Sequence, residues 1–309
     1  MQIGKVPENI LKRSVFKQIH HRRPEVLLHP GVGEDCSAVE AGEGEVLVFS
    51  VDPITATEKG MGTFAVHVTA NDLASSGAEP VGIMTSIILP PRKREKYLRE
   101  LMGEIEAACR ELEIEIMGGH TEISNVVNQP VVTVTGVGKV KKEKLVSTGG
   151  LQVGDDLVLT KWAGLEGTAI IAAQKREKLL ETLPEELVDT AADFYQYLSV
   201  VPEAKIAVET GVSAMHDVTE GGIFGALWEI GAAADLGISA DLTKIPIRQE
   251  TIEVCEVFGI NPYQMMSSGS MLIGCAKGNL LVDRLKEAGI PAAVIGRATD
   301  SNDRVITNG

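Results

Sequence analysis

Acidic residues stand at the ends of several apolar segments, where a folded chain could present carboxylates to a ligand. The acids placed in this way are Asp35, Asp52, Asp72, Glu122 and Asp217. Carboxylates brought together without partners repel one another, so their convergence would require bound cations. Hard oxygen ligands suit Mg²⁺, which usually keeps several waters and bridges to the phosphates of a substrate. These acids therefore favour a magnesium site that handles a phosphorylated ligand.

Two glycine-rich motifs accompany the acids. Residues 118–122 read G-G-H-T-E behind an apolar segment, and the glycines permit unusual backbone angles and the close approach of a ligand. Residues 216–222 read H-D-V-T-E-G-G and open an apolar helix that continues through Ile230. Backbone amides at such a helix start can bind an anion.

Other common sites have little support in the sequence. There is no G-x-x-x-x-G-K-[ST] loop, no strand followed by G-x-G-x-x-G and no G-x-S-x-G elbow. These absences exclude a Walker-type site and argue against a nicotinamide enzyme and a serine hydrolase. His67 and His120 could act as zinc ligands, as bases or as structural groups, and the residues alone leave all three roles open.

The stretch at 67–80, H-V-T-A-N-D-L-A-S-S-G-A-E-P, is the element around which these motifs are arranged. Helical spacing places small apolar residues on one stripe. The stripe consists of Val66, Ala70, Leu73, Ala74 and Gly77. The polar residues outside this stripe are His67, Asn71 and Asp72. Burying such groups in a helix costs free energy unless each is paired with a partner. Asp72 is thus either a satisfied structural carboxylate or part of a site.

Apolar patterns predict strands and helices in both halves of the chain. The predicted strands are 46–51, 82–89, 131–140, 156–161, 269–275 and 292–295. The predicted helices are 8–19, 94–112, about 185–198, 202–209 and 280–288, with others starting near 166 and 222. Asp52 and Pro53 are expected just past a strand. A second series of apolar strand and helix patterns begins after Gly149-Gly150. We therefore predict two domains, 1–150 and 151–309, each containing helices and strands.

Length and charge narrow the class of protein. The chain has 309 residues and a formal net charge of -14, which argues against a nucleic acid or an anionic membrane as partner. No apolar run reaches the length of a membrane span, and the first residues lack the apolar core of a signal peptide. Cys36, Cys109, Cys255 and Cys275 form no C-x-x-C pair, so neither a zinc knot nor a disulfide framework is indicated. We expect a cytoplasmic protein.

Five motifs, taken together and in order, resemble those of the aminoimidazole ribonucleotide (AIR) synthetase superfamily. They are G-V-G-E-D-C-S-A-V at 31–39, S-V-D-P at 50–53, N-D-L-A-S-S-G-A-E-P at 71–80, G-G-H-T-E at 118–122 and H-D-V-T-E-G-G at 216–222. The superfamily includes the purine-pathway synthetase, thiamine monophosphate kinase, selenophosphate synthetase and hydrogenase maturation proteins of the HypE type. The residues of these motifs are most similar to those of HypE-like proteins. This sequence, however, lacks the C-terminal cysteine tail of those proteins and has His120 where relatives carry an acid.

The resemblance implies an α+β, PurM-like fold of two domains. The N-terminal α/β domain would form a β-barrel between the subunits of a homodimer, and a C-terminal α+β domain would pack beside it, with ATP and Mg²⁺ in the cleft. By motif match, the metal-binding residues would be Asp35, Asp52, Asp72, Glu122 and Asp217. The nucleotide-binding residues would be Asp35, Asp52, Asn71, Asp72, Gly118, Gly119, Thr121, Lys161 and Asp217. Asp72 and His120 are the expected catalytic residues.

The leading functional prediction is an ATP- and Mg²⁺-dependent enzyme. It would activate an oxygen of a small-molecule or carrier-bound amide or acid by phosphoryl transfer. If Gly309 is the natural end, HypE-type chemistry on the chain's own tail is not expected. The alternatives are a purine-pathway AIR synthetase and a nucleotide-binding maturation scaffold that docks a partner protein and has little turnover.

Overall fold

A computed structural model describes residues 9, 12, 24, 26–28, 31–34, 36–55 and 60–309. The predicted helix at 8–19 and the predicted site residue Asp35 lie outside the described residues, apart from Asn9 and Lys12. The described part contains two six-stranded sheets. The first sheet uses strands up to Lys141 and the second begins at Asp156, and the predicted domain boundary at 150, which stays a prediction, falls between them.

The first sheet is formed by the N-terminal half of the chain. Its strands are β1 (Val26–Leu28), β2 (Ser37–Gly42), β3 (Glu45–Ile54), β4 (Glu79–Leu89), β5 (Glu115–Ile123) and β6 (Val131–Lys141). They lie in the order β1-β2-β3-β6-β4-β5. Two helices cover one face of the sheet, α1 (Met61–Ser75) and α2 (Glu95–Glu111). The predicted strands at 82–89 and 131–140 and the predicted helix at 94–112 are confirmed within a few residues.

Strand β3 is longer than predicted, so the expectation that Asp52 follows a strand is wrong. Asp52 pairs with Val134 of β6 and lies within the strand. Strand β2 pairs with β3 only as far as Phe49, so the last residues of β3 have a neighbour on one side only. Proline is tolerated at such an unpaired edge because its missing N–H has no partner to lose. Pro53 therefore does not end the strand.

The G-G-H-T-E motif is not a turn behind a strand but the middle of β5, which pairs in parallel with β4. Gly118 and Gly119 have φ of +155° and +156°, a region that favours glycine. A Cβ on Gly119 would lie 2.2 Å from the carbonyl oxygen of Thr85. This glycine thus allows the close approach of the neighbouring strand within the subunit, and the nucleotide contact predicted for Gly118 and Gly119 stays a prediction.

Helix α1 is buried on nearly every side, so the expected contrast between an apolar stripe and a polar face does not hold. His67, Asn71 and Asp72 are as buried as Val66 and Leu73. The helix lies between the first sheet and α2 on one side and the C-terminal half of the chain on the other. It therefore has no solvent face on which to place polar groups.

The second sheet is formed by the C-terminal half. Its strands are β7 (Asp156–Thr160), β8 (Ala214–Asp217), β9 (Gly237–Asp241), β10 (Met271–Cys275), β11 (Ala292–Thr299) and β12 (Arg304–Thr307). They lie in the order β12-β9-β11-β7-β10-β8 and are antiparallel except for the β12–β9 pair. The helices of this half are α3 (Leu165–Gln174), α4 (Arg176–Leu179), α5 (Glu185–Ala192), α6 (Val201–Thr210), α7 (Gly222–Ala234), α8 (Gln249–Phe258) and α9 (Gly278–Glu287). The predicted helix at 185–198 changes to a 3₁₀ turn at Asp193–Tyr197. The fold is α+β in both halves, as predicted.

Apolar contacts join the two halves. Ala74 of α1 packs in one buried cluster with Met215 and Met271, and Phe64 packs in another with Leu165 and Leu198. In the part of the chain that the structure describes, no helix is long and apolar enough to cross a bilayer. The cytoplasmic location stays a prediction.

The packing of α1 on β6 should depend on Gly136. A Cβ there would lie 2.4 Å from Cγ2 of Thr69 and 2.9 Å from Cδ1 of Leu73. We expect Gly136→Ala to lower the free energy of unfolding by about 1–3 kcal/mol, because the core is overpacked. The measurement is urea denaturation followed by circular dichroism.

Gly103→Ala is the matched control. Gly103 is exposed within α2, and a Cβ there meets no atom within 4 Å. This change should leave stability unchanged or raise it by roughly 0.5–1 kcal/mol through helix propensity. Equal stability of the two variants would contradict the proposed packing.

Candidate active site

Two of the predicted acids meet at one serine hydroxyl. Ser50 on β3 donates a short hydrogen bond to Asp72 Oδ2 on α1, and its Oγ lies 3.3 Å from Asp52 Oδ2. Ser50 and Asp72 are buried, and Asp52 is partly buried. A hydroxyl has one proton, so Ser50 can donate to only one of these carboxylates at a time. The pair therefore has acceptor capacity that Ser50 alone does not satisfy.

The main chain at Asp72 is fixed as well. Its carbonyl oxygen accepts hydrogen bonds from Cys36 Sγ at 3.2 Å and from Ser75 Oγ at 2.8 Å. The sequence prediction missed Ser50 as a site residue. A signal was available, because Ser50 stands two residues before Asp52 and thus on the same face of the strand.

Asn71 uses its amide to bind the C-terminal half of the chain. Its Nδ2 donates to the Leu198 carbonyl at 2.8 Å, and its Oδ1 accepts the Val200 N–H at 2.9 Å. Asn71 is fully buried. The nucleotide contact predicted for this residue stays a prediction, and the structure gives the side chain a second role in joining the halves.

Lys161, predicted as a cation for phosphate, is held inside the protein. Its Nζ donates to the carbonyls of Tyr197 at 3.1 Å, Ser199 at 2.6 Å and Gly269 at 2.8 Å, and it forms an ion pair with Glu203. Burial lowers the pKa of the Lys161 ammonium, while Glu203 opposes that shift. An ammonium has three protons, so these four acceptors leave none for a ligand. The structure does not present Lys161 to a phosphate.

Asp217 lies on a strand that packs near α1. It is buried at the end of β8, where it pairs with Met271 of β10. The preceding His216 has its Nε2 3.0 Å from Glu229 Oε2 of α7. Because Met215 of β8 and Ala74 of α1 share one buried cluster, the elements that carry Asp217 and Asp72 pack together.

His120 and Glu122 lie on the other face of the first sheet from Asp72. They are in register with Ser86 and Ile88 of β4, on the face that α1 and α2 leave open. Both side chains are exposed, and His120 Nε2 lies 3.4 Å from Glu122 Oε2. The adjacent Thr121 points to the opposite face of this edge strand.

The four predicted acids that the structure describes therefore do not converge in one subunit. Among residues 31–34, 36–55 and 60–309, no three His, Cys, Asp or Glu side chains are arranged to hold a metal ion. Asp52 and Asp72 come together, Asp217 lies on a neighbouring element and Glu122 is on the far face. The expectation of a single five-acid cluster is wrong because β5 presents its acid to the open side of the sheet.

A buried carboxyl of the C-terminal half was also missed. Glu166 in the first turn of α3 is buried, and burial raises the pKa of its carboxyl although Ser268 donates to it from its hydroxyl and backbone N–H. Ser267 accepts the Gly164 N–H at 2.9 Å, so the same loop also caps the start of α3. An acid inside the apolar run A-G-L-E-G-T is the signal that could have identified it.

Family models cover both halves of the chain. Residues 33–140 match the AIR synthase related protein N-terminal domain, and residues 152–308 match the corresponding C-terminal domain. The chain belongs to the AIR synthase related family. The resemblance drawn from the five motifs is thereby confirmed.

Relatives of this AIR synthase related protein include proteins of hydrogenase maturation. A Methanocaldococcus jannaschii protein named for hydrogenase expression and formation is 27% identical over 316 residues, covering 98% of this chain and 90% of that protein. The carbamoyl dehydratase HypE of Cupriavidus necator is 30% identical over 251 residues, covering 79% of this chain and 69% of that protein. The expected similarity to HypE-like proteins is confirmed.

Solved structures share the fold. A chain of the HypE–HypF complex superposes with a TM-score of 0.77 at 21% identity, covering 90% of each chain. AaThiL complexed with AMPPCP and TMP gives 0.74 at 19% identity, covering 89% of this chain and 87% of that one. The hydrogenase maturation protein HypE in complex with ATP gives 0.70 at 18% identity, covering 96% and 87%.

Buried His67, one turn before Asn71 on α1, should make stability depend on pH. Burial lowers the pKa of His67 from its ordinary 6.5, with Lys161 adding to the shift and Glu111 opposing it. Below that ordinary pKa the unfolded chain takes up a proton that the folded chain does not, so stability is lost as pH falls. Urea denaturation from about pH 7.5 to about pH 5.5 should show a steeper loss for wild type than for His67→Gln, by at most about 1.4 kcal/mol per pH unit.

Gly136→Ala is the control, because it disturbs the packing of α1 without changing a titratable group. It should keep the slope of the wild type. Parallel pH profiles for wild type and His67→Gln would show that His67 does not contribute to the pH dependence.

Proposed function

We propose that this protein is an ATP- and Mg²⁺-dependent enzyme that activates an oxygen of a small-molecule or carrier-bound amide or acid by phosphoryl transfer. The observation that carries the proposal is the carboxylate pair Asp52 and Asp72, held together by Ser50. Relatives named carbamoyl dehydratase, and structures of the same fold with ATP and AMPPCP, support it.

The donor set fits magnesium. Mg²⁺ is commonly bound through one or two carboxylates together with waters and substrate phosphates, so two carboxylates at one position suffice. Asp52 and Asp72 would hold the ion, which would neutralise phosphate charge when bound. Asp217 remains a proposed ligand from a neighbouring element, and Asp35 remains one by motif match.

The remaining groups position the phosphate and shield it. Helix α7 begins at Gly222, directly after the Asp217 segment, and Gly221 takes a left-handed φ of +90° at its N-cap. Backbone N–H groups at such a helix start favour an anion. Phosphoryl transfer depends mainly on positioning and electrostatic stabilisation, which fixed dipoles and buried carboxylates provide.

A maturation partner protein is part of the proposal. The complex of HypE with HypF shows that a protein of this fold binds a partner. Partner binding and turnover are compatible. A scaffold without turnover, however, gives no reason to bring Ser50, Asp52 and Asp72 together.

The first test is thermal melting with Mg²⁺, with and without ATP. ATP at about a hundredfold above its Kd should stabilise the wild type by about 2.7 kcal/mol, seen as a shift of several degrees. Asp72→Asn should lose most of this shift, because one of the two metal-binding carboxylates is removed.

Asp283→Asn, an exposed change on α9, is the matched control and should respond like the wild type. If a folded wild type shows no shift, the site does not bind nucleotide and the scaffold is the better explanation. An undiminished shift in Asp72→Asn would place the nucleotide elsewhere.

We also propose a homodimer through the open face of the first sheet. This face carries exposed apolar side chains on three strands, and a patch of this kind commonly marks an interface. They are Leu47 and Val51 on β3, Met84 on β4, and Met117 on β5. His120, a predicted catalytic residue, and Glu122, a predicted metal ligand, share the face, so a second subunit would enclose them.

A charge in this patch should separate the subunits. Val51→Glu is expected to convert a dimer to a monomer, since burying an unpaired carboxylate is unfavourable. Sedimentation velocity measures the outcome. Val153→Glu is the control, because both valines are 59% exposed but Val153 lies outside the sheet face. A Val51→Glu protein that remains dimeric would show that the interface lies elsewhere.

A further inference from the structure

The chain segment 197–200 is held from two sides by residues of different halves. Lys161 binds the carbonyls of Tyr197 and Ser199, at 3.1 and 2.6 Å. Asn71 binds the carbonyl of Leu198 and the N–H of Val200, at 2.8 and 2.9 Å. We call this arrangement of Asn71, Lys161 and segment 197–200 the interdomain clamp.

The clamp continues toward Asp217. Lys161 Nζ also donates to the Gly269 carbonyl at 2.8 Å. The next residue, Ser270, accepts the N–H of Val218 at 2.9 Å, directly after Asp217. Polar contacts and the short chain segments 197–200 and 269–270 therefore connect Asn71, the neighbour of Asp72, with the backbone beside Asp217.

The charge of Lys161 is compensated inside the protein. Lys161 and Glu203 are both more than nine-tenths buried and form an ion pair. Lys161 also has a φ of +53°, which a residue other than glycine keeps only where its surroundings impose it. A cavity of about 570 Å³ is lined by Lys161 and Glu203 together with Arg110 and Glu111 at the end of α2, so the pair lies where the two halves face each other.

We infer that Lys161 is a positioning residue that sets the location of Asp217 relative to Asp72 and so couples the two halves of the nucleotide site. This inference rests on the proposed function. Lys161 does not touch the phosphate. It acts through the Gly269 carbonyl and segment 197–200, whose other side Asn71 fixes.

The variant for the test is Lys161→Met with Glu203→Met. A single change would leave one buried charge uncompensated and endanger folding, whereas the double change removes both charges and retains the side-chain length. The exposed pair Arg99 and Glu95 on α2, changed to methionines in the same way, is the control.

The measurement is a double-mutant cycle on ATP affinity in saturating Mg²⁺, by calorimetry. Asp217→Asn is introduced into the wild type and into the double variant. We expect it to weaken binding about tenfold or more in the wild type and in the control, and less than about threefold in the double variant. A purely structural role of Lys161 would leave the effect of Asp217→Asn the same in both backgrounds, which would overturn the inference.

Two further outcomes are distinguishable. If the wild type binds no ATP with Mg²⁺, the proposed function fails, and the positioning role fails with it. If the double variant does not fold, the same cycle on Lys161→Met with Glu203→Gln decides, because this pair of changes also removes both charges and keeps the volume of the side chain at position 203. The effect of Asp217→Asn should then be reduced at least about threefold, and an unreduced effect would refute the role of Lys161.

Discussion

The burial of helix α1 is the constraint on which the rest of the structure depends. A helix enclosed by a sheet, a neighbouring helix and the second half of the chain must pair each of its polar side chains within the protein, because an unpaired buried polar group is costly. Asn71 meets this requirement with backbone groups of residues 198 and 200, and Asp72 meets it in part with Ser50. The groups that make the helix expensive to bury are the same groups that define the candidate site.

This constraint divides the site between the halves of the chain. Ser50, Asp52 and Asp72 come from the first half, and Asp217 comes from the second. Neither half has the complete set of groups that the family resemblance implies. The polar contacts between the halves therefore affect the geometry of the site as well as stability.

Much of the fold could be predicted from local patterns. Helix α2 and strands β4 and β6 have strong periodicity and were predicted within a few residues. Strands β9 (G-I-S-A-D) and β12 (R-V-I-T) were missed, since each contains too few large apolar side chains to show a pattern. Strand β3 extends beyond Asp52 because it pairs with the long strand β6. A local sequence pattern does not reveal a partner strand that is distant in the chain. The register of β5, which decides the face of His120, was unpredictable for the same reason.

The candidate site was predictable by residue type but not by arrangement. The motifs identified Asp52 and Asp72, whereas the roles of Ser50, Lys161 and Glu166 depend on contacts between distant segments. Lys161, predicted as a cation for phosphate, instead donates to three backbone carbonyls. The residue type alone does not predict which group pairs with a buried charged side chain.

The hydrogen bonds of Asn71 join residues 127 and 129 positions apart in the chain. Contacts between residues so far apart in the sequence form late in folding, because closing a large loop costs conformational entropy. During synthesis, the acids of the first half leave the ribosome well before residues 198 and 200 can reach them. Under the proposed function, affinity for nucleotide is therefore acquired only once the second half has folded against α1, and an incomplete chain does not sequester nucleotide.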